Sequence, residues 1–423
     1  MQLKNKHKPV RRGLALATAS LLGVPVVNTA NALQPSSEWE VDTSILFYAE
    51  TDRVSLAEPI IRARKDIGDD QFLTMKLVLD TLTGSSANGA VATGSAQTFT
   101  TPSGQGTYTA GANETPLDDS FHDTRVALSG EWERPLGAST RAIFGVNAST
   151  EYDYQSIGVS ATFNWDFNQK NSTLTAGLAY NADTVNPVGG APVGFTPMPT
   201  FPSVKATQGT GLSKDVGDLI IGWTQILGRK DLMQVNFVYG NESGYLTDPY
   251  KILSVVDGTT GDTNSYVYEQ RPDSRSRQAF FWRWSHMFEE DVFRISYRYY
   301  TDDWGIASNT VDMHYRFEIN PRHYLEPHVR YYAQSAADFY HTSLIDGQSY
   351  DNASADYRLA DMTDTTIGLK YGVSLSNKSE FSIRAEHMLQ QADPSQVIGN
   401  QSAQDLVPDV TANMLTFNYT LQW

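Results

Sequence analysis

Charged side chains of both signs fall at alternating positions in segments of the later half of the chain. Arg283, Arg294, Arg298, Asp312, His314, Arg316, Glu318, Glu326, His328, Arg330, Lys370, Arg384 and Glu386 sit between apolar neighbours, and Arg62 and Arg64 do the same near the start. An arginine fork suits carboxylates and anionic solutes. Bases facing acids across water would impose a transverse field and sort solutes by charge. The close interleaving of acids with bases favours a plainer outcome, a bracing network in which neighbours neutralise one another. His314 and His328 could meet on adjacent strands and, with Glu318 and Glu326, ligate a metal. Histidines in ion networks are commoner, so no metal is assigned. Gly-x-Ser-x-Gly, His-Glu-x-x-His, P-loop and EF-hand patterns are missing, so no catalytic residue and no cofactor is assigned.

Only strands place alternate residues on opposite faces. The last ten residues show this most plainly. Leu415, Phe417, Tyr419, Leu421 and Trp423 share one face, and Met414, Thr416, Asn418, Thr420 and Gln422 share the other. A soluble sheet would need a second layer over that apolar face. An apolar-out, polar-in strand ending in an aromatic fits an outer-membrane barrel, and Phe417, Tyr419, Leu421 and Trp423 read as a signal for the barrel-assembly machinery. The same alternation repeats along the chain, with short turns alternating with long loops. The pattern predicts an all-β fold, a transmembrane antiparallel β-barrel with short periplasmic turns and long external loops. About sixteen strands are expected, or about fourteen if the hairpin containing Pro59 lies outside the wall. Trp132, Trp165, Trp282, Trp284, Tyr299, Phe317, Tyr331 and Trp423 fall toward strand ends, as girdles at the two membrane interfaces would. Asp118, Asp119, Asp257, Asp262, Asp302, Asp303, Asp346, Asp351, Asp356, Asp361 and Asp364 are expected in solvated external loops, with divalent-cation binding at the lipopolysaccharide surface as the alternative.

The chain has 423 residues, no cysteine and a formal net charge of -16. Such acidity argues against nucleic acid as a partner. Lys4, Lys6, Lys8, Arg11 and Arg12 precede a short apolar run and Ala30-Asn31-Ala32, which predicts a secretory signal over residues 1–32 and one barrel domain over 33–423.

The run Ala49 to Ser55 (AETDRVS) with Glu58-Pro59, and the run Asp80 to Ala90 (DTLTGSSANGA), resemble a bacterial family, domain-of-unknown-function family 3570. Tyr297 to Trp304 (YRYYTDDW) and Glu326 to Tyr332 (EPHVRYY) resemble it too. The resemblance covers essentially the whole mature chain. It implies an outer-membrane protein of unassigned activity, supplies no catalytic residues, and puts the Glu50 to Pro59 hairpin in the wall.

The leading expectation is a porin-like passive channel or transporter for small polar or charged solutes, narrowed by a folded-in loop within Thr83 to Ser120 or Asn181 to Val216. The alternative is a closed barrel serving as an envelope assembly or scaffold partner, and a barrel enzyme is a lesser one. Outer-membrane lipid and lipopolysaccharide are the expected surroundings, with any periplasmic partner proteins unidentified.

Overall fold

The computed structural model describes residues 39–423 apart from 102, 103 and 105. The expected signal segment, residues 1–32, lies outside the described residues. In chain order the strands are β1 (Trp39–Glu50), β2 (Val54–Gly68), β3 (Gln71–Ala87), β4 (Gln97–Thr100), β5 (Thr107–Ala110), β6 (Leu117–Pro135), β7 (Thr140–Thr150) and β8 (Tyr154–Phe167). There follow β9 (Ser172–Val185), β10 (Ala191–Pro192), β11 (Thr207–Gly209), β12 (Leu212–Ile226), β13 (Asp231–Gly244), β14 (Ile252–Val256), β15 (Thr263–Tyr268) and β16 (Ser274–Met287). The last are β17 (Val292–Asp302), β18 (Ala307–Asn320), β19 (His323–Gln334), β20 (Leu344–Ile345), β21 (Asp361–Ser376), β22 (Ser379–Asp393) and β23 (Val410–Gln422).

Among the described residues, β1, β2, β3, β6, β7, β8, β9, β12, β13, β16, β17, β18, β19, β21, β22 and β23 close into one antiparallel barrel of sixteen strands. Closure pairs β1 with β23, from Glu40 opposite Gln422 to Glu50 opposite Ala412. Trp39 and Trp423 seal the seam with reciprocal backbone hydrogen bonds of 3.0 and 3.1 Å. Their rings stack at 6.3 Å. Pro59 lies in the wall. It pairs opposite Ile45 of β1, while the ladder to β3 skips Glu58 and Pro59, because proline has no N–H to donate.

All the turns at the end bearing both strand termini are short. The first is Asp69-Asp70, where both residues take the positive φ of a two-residue hairpin turn. At the other end, loops 88–116, 186–211, 245–273, 335–360 and 394–409 are long.

The outward face is apolar and open. Ile157 is 68% exposed, Leu178 62% and Val146 61%, and Phe47, Leu128, Phe317, Ile367 and Leu369 are also exposed. Water would not tolerate so continuous an apolar belt, and lipid does. A closed barrel with this belt and aromatics toward its rims is an outer-membrane protein, in contact with lipid around its circumference.

The long loops pack on one another instead of hanging free. The segment after β3 carries no apolar period, yet it contains the β4–β5 hairpin. Phe99, 1% exposed, packs there with Ala90, Ala110, Ile252 and Tyr268. The two inward residues of β4 are Gln97 and Phe99, and a single apolar one leaves no hydrophobic period in sequence. Of the aspartates expected in solvated loops, Asp118 is buried on β6, Asp361 and Asp364 lie on β21, and two more have buried side chains. The Asp302 and Asp356 side chains are 0% and 1% exposed, each held by arginine.

Candidate functional site

Strand register brings the alternating charges together on the inner wall. Glu326 of β19 sits opposite Lys370 of β21, which sits opposite Arg384 of β22. The Glu326 carboxylate, 3% exposed, accepts from Arg294 at 2.6 Å and from Arg384 at 2.8 Å. Arg384 also reaches Glu386 at 3.3 Å. His314 of β18 faces His328 of β19 in register, and their rings stack at 4.1 Å with an interplanar angle of 6°. Asp312 bridges the two Nε2 atoms at 2.9 Å each. Glu318 does not join them as the sequence suggested. It takes Arg316 at 2.5 Å, and Asp312 holds its place beside the histidines. Arg316 covers the Tyr324 ring at 3.5 Å, and the Tyr324 hydroxyl donates to Glu380 at 2.7 Å. Arg283 donates to Gln234 at 2.8 Å.

A second set lies beyond the β1–β23 seam. Arg62 meets Asp42 at 2.9 Å and Glu40 at 3.4 Å. Arg64 and Arg141 share Glu133 at 2.7 and 2.6 Å. Arg62 and Arg141 reach acids on the adjacent strand, and Arg64 reaches across β3 to Glu133. Bracing therefore accounts for most of these charges, and a bare transverse strip does not form from them. Arg283, Arg298, Arg330 and Lys370 are the exceptions: among the described residues, none of the four has a carboxylate within ion-pair distance, and Arg283 donates to the Gln234 amide instead.

Arg298 lines a cavity of about 340 Å³ under the long loops. Its wall side is Arg275, Arg298, Tyr300, Ser308, Tyr332 and Gln334, and its loop side is Arg271, Asp356, Arg358 and Leu359. Arg275 is bound to Asp302 at 2.5 Å, and Arg271 to Glu269 at 2.6 Å and Asp356 at 2.9 Å. Arg358 is bound to Asp356 at 2.6 Å. Burial would raise the Asp356 carboxyl, but Arg358, Lys251 and Arg271 outweigh it and hold the group below its ordinary range. The cavity thus presents hydroxyl, amide and guanidinium donors, with the Arg298 charge unmatched. Arg271, Arg275 and Arg358 escaped sequence reading, because the first and last lie in loops and Arg275 begins a strand beyond the apolar alternation.

The loops above the cavity knit into a lid. Strands β14, β15 and β20 form a small sheet. The Ile252 N–H donates to Asn88 O at 2.8 Å, and Lys251 Nζ donates to the Ala87 carbonyl. Ala87 ends β3, six places round the ring from β13, which launches the 245–273 loop. That loop therefore crosses the external mouth. The two loops expected to narrow the passage contribute to its packing, and the crossing segment is a third.

The expected girdle aromatics lie on the outward face. Trp132, Trp165, Phe317 and Trp423 are exposed toward the short-turn rim, and Tyr299 and Tyr331 toward the loop rim. Trp284 is partly covered by Phe293 at 6.2 Å, and Trp282 sits nearer mid-strand. Phe144 and Phe163 extend the lower girdle, linking Trp132 to Trp165 at ring separations of 6.2, 6.2 and 6.0 Å. Phe417, Tyr419 and Leu421 share the outward face of β23 with Trp423.

The family described as "Protein of unknown function (DUF3570)" matches residues 12–421. The chain belongs to the DUF3570 family. No curated protein matches this DUF3570 barrel significantly. Among solved structures it is similar to a bacterial polysaccharide outer membrane secretin, over 92% of this chain and 100% of that one, at 8% identity and a TM-score of 0.45. It is similar to the CymD monoaromatic hydrocarbon channel over 94% and 91%, at 8% identity and a TM-score of 0.41. It is also similar to CdiB from Acinetobacter baumannii over 92% and 61%, at 8% identity and a TM-score of 0.47. Similarity this distant says nothing of solute or partner.

Proposed function

We propose that this DUF3570 barrel is a lidded, passive channel for small polar anions. The observation that carries the reading is the 245–273 loop lying across the mouth above a cavity whose Arg298 lacks a counter-charge. A solute carrying a carboxylate or phosphate would supply that charge. The braced wall would keep the lumen hydrated and open while the lid controls entry. Lipopolysaccharide would surround the loop rim, and the barrel-assembly machinery would read the β23 aromatics.

Planar-bilayer recording tests this. Wild-type barrel is expected to show small, infrequent openings. Replacing residues 252–268 by a short Gly-Ser linker is expected to give sustained current, with a reversal potential in a KCl gradient that favours chloride. Arg298→Gln in that background is expected to weaken the preference. No current from either protein, in barrels shown to be folded, removes the channel reading. It would favour the second one, a closed envelope scaffold, for which the ion-paired lid is the supporting feature.

A further inference from the structure

The stacked histidines on β18 and β19 face an electrostatic problem that the wall alone does not solve. Each ring meets a carboxylate on both sides. Both Nε2 atoms face Asp312 at 2.9 Å. Nδ1 of His328 faces Glu386 at 2.5 Å, and Nδ1 of His314 faces Glu326 at 3.3 Å. An ionised carboxylate only accepts, and a neutral imidazole has one N–H to give. Neutral rings would leave a lone pair against an oxygen at each Nε2. Doubly protonated rings would stack two cations at 4.1 Å beside Arg294, Arg384 and Lys370.

We infer that Asp312, His314 and His328 bind one divalent first-row transition ion. Both Nε2 lone pairs and the Asp312 carboxylate then serve the cation, the His328 Nδ1–H donates to Glu386, and the His314 Nδ1–H, buried with no hydrogen-bond partner among the described residues, lies 3.3 Å from Glu326 and gains that bond as the ring tilts. Two imidazoles and one carboxylate are a recurrent ligand set for such ions, and the carboxylate behind each ring is its usual support. The ion brings the same charge as the two protons it replaces, so the balance with the surrounding arginines is kept. One ligand atom from each of the three residues already lies within 4.8 Å of the others. The rings must tilt from parallel to share an ion. Asp312 is 28% exposed against 9% for His328, so the ion would enter from the lumen and keep a side open to water or solute. The inference does not depend on whether the barrel conducts.

The test uses untagged, full-length barrel in detergent micelles, stripped with chelator and titrated with Co²⁺ while visible absorption is followed. One ion per barrel is expected, with d–d bands that Zn²⁺ abolishes. His314→Gln and Asp312→Asn should each weaken binding by at least about tenfold, and Glu386→Gln by about 10- to 100-fold. Glu318→Gln should bind as wild type. Heat-modified gel mobility identifies the variants that are folded. Absence of 1:1 uptake by wild type overturns the inference. So does unchanged binding in a folded His314→Gln/His328→Gln protein.

Discussion

Tyr324 shows how closely single residues are matched inside this wall. Its ring, 1% exposed, lies over Gly372, its partner across the β19–β21 ladder. A Cβ at Gly372 would fall 2.1 Å from the ring. Gly372→Ala should therefore cost about 1–3 kcal/mol, read as a lowered urea midpoint in micelles. Removing the ring as well, in Gly372→Ala/Tyr324→Ala, should abolish that particular clash. A single variant as stable as wild type would mean that the ring does not sit there. Glu326 poses the opposite case. It alone holds Arg294 and is one of two acids on Arg384. Glu326→Gln leaves buried guanidinium without its acid and should destabilise the barrel by roughly 3 kcal/mol by the same measurement. An unchanged midpoint would show that water already solvates the pair.

At the scale of elements, the lid is held by few strong contacts. The three-stranded sheet is small, and Asp356, braced by Arg358 of its own loop, ties that loop to Arg271 of the 245–273 loop. Because the Asp356 carboxyl is held below its ordinary value of 3.8, its stabilisation is complete above that pH and is lost as pH falls toward its folded value. Protection factors for hydrogen exchange across residues 252–268, taken relative to the intrinsic rate at each pH, should be high at neutral pH and fall in acid. Asp356→Asn should show the lowered protection already at neutral pH. If the variant and wild type exchange alike at pH 7, other contacts hold the lid.

For the whole molecule, everything depends on closure. β23 pairs with both β22 and β1, so it is the last edge to be covered. A barrel has no free edge to leave in lipid. Truncation before Val410 should abolish heat-modifiable, membrane-inserted protein altogether, whereas Trp423→Ala removes one stack and should only slow assembly. Normal insertion of the truncated chain, followed by fractionation, would refute the closure argument.

The sequence by itself determined the wall. Alternation in stretches such as Leu415 to Trp423 and Val311 to Ile319 reports the two-residue period directly, and a strand between lipid and water has no other way to satisfy both. It also placed His314 and His328 on one face, because neighbouring strands with the same period must present the same parity inward. It did not show that Asp312 rather than Glu318 would sit between them, since that depends on the register of the β18–β19 pair and the lean of each side chain. The lid was illegible for a deeper reason. Lys251 bonds to Ala87, and Arg271 to Asp356, through contacts between loops launched from distant strands. Such contacts have no period, and only closure of the ring brings their launching points to one mouth.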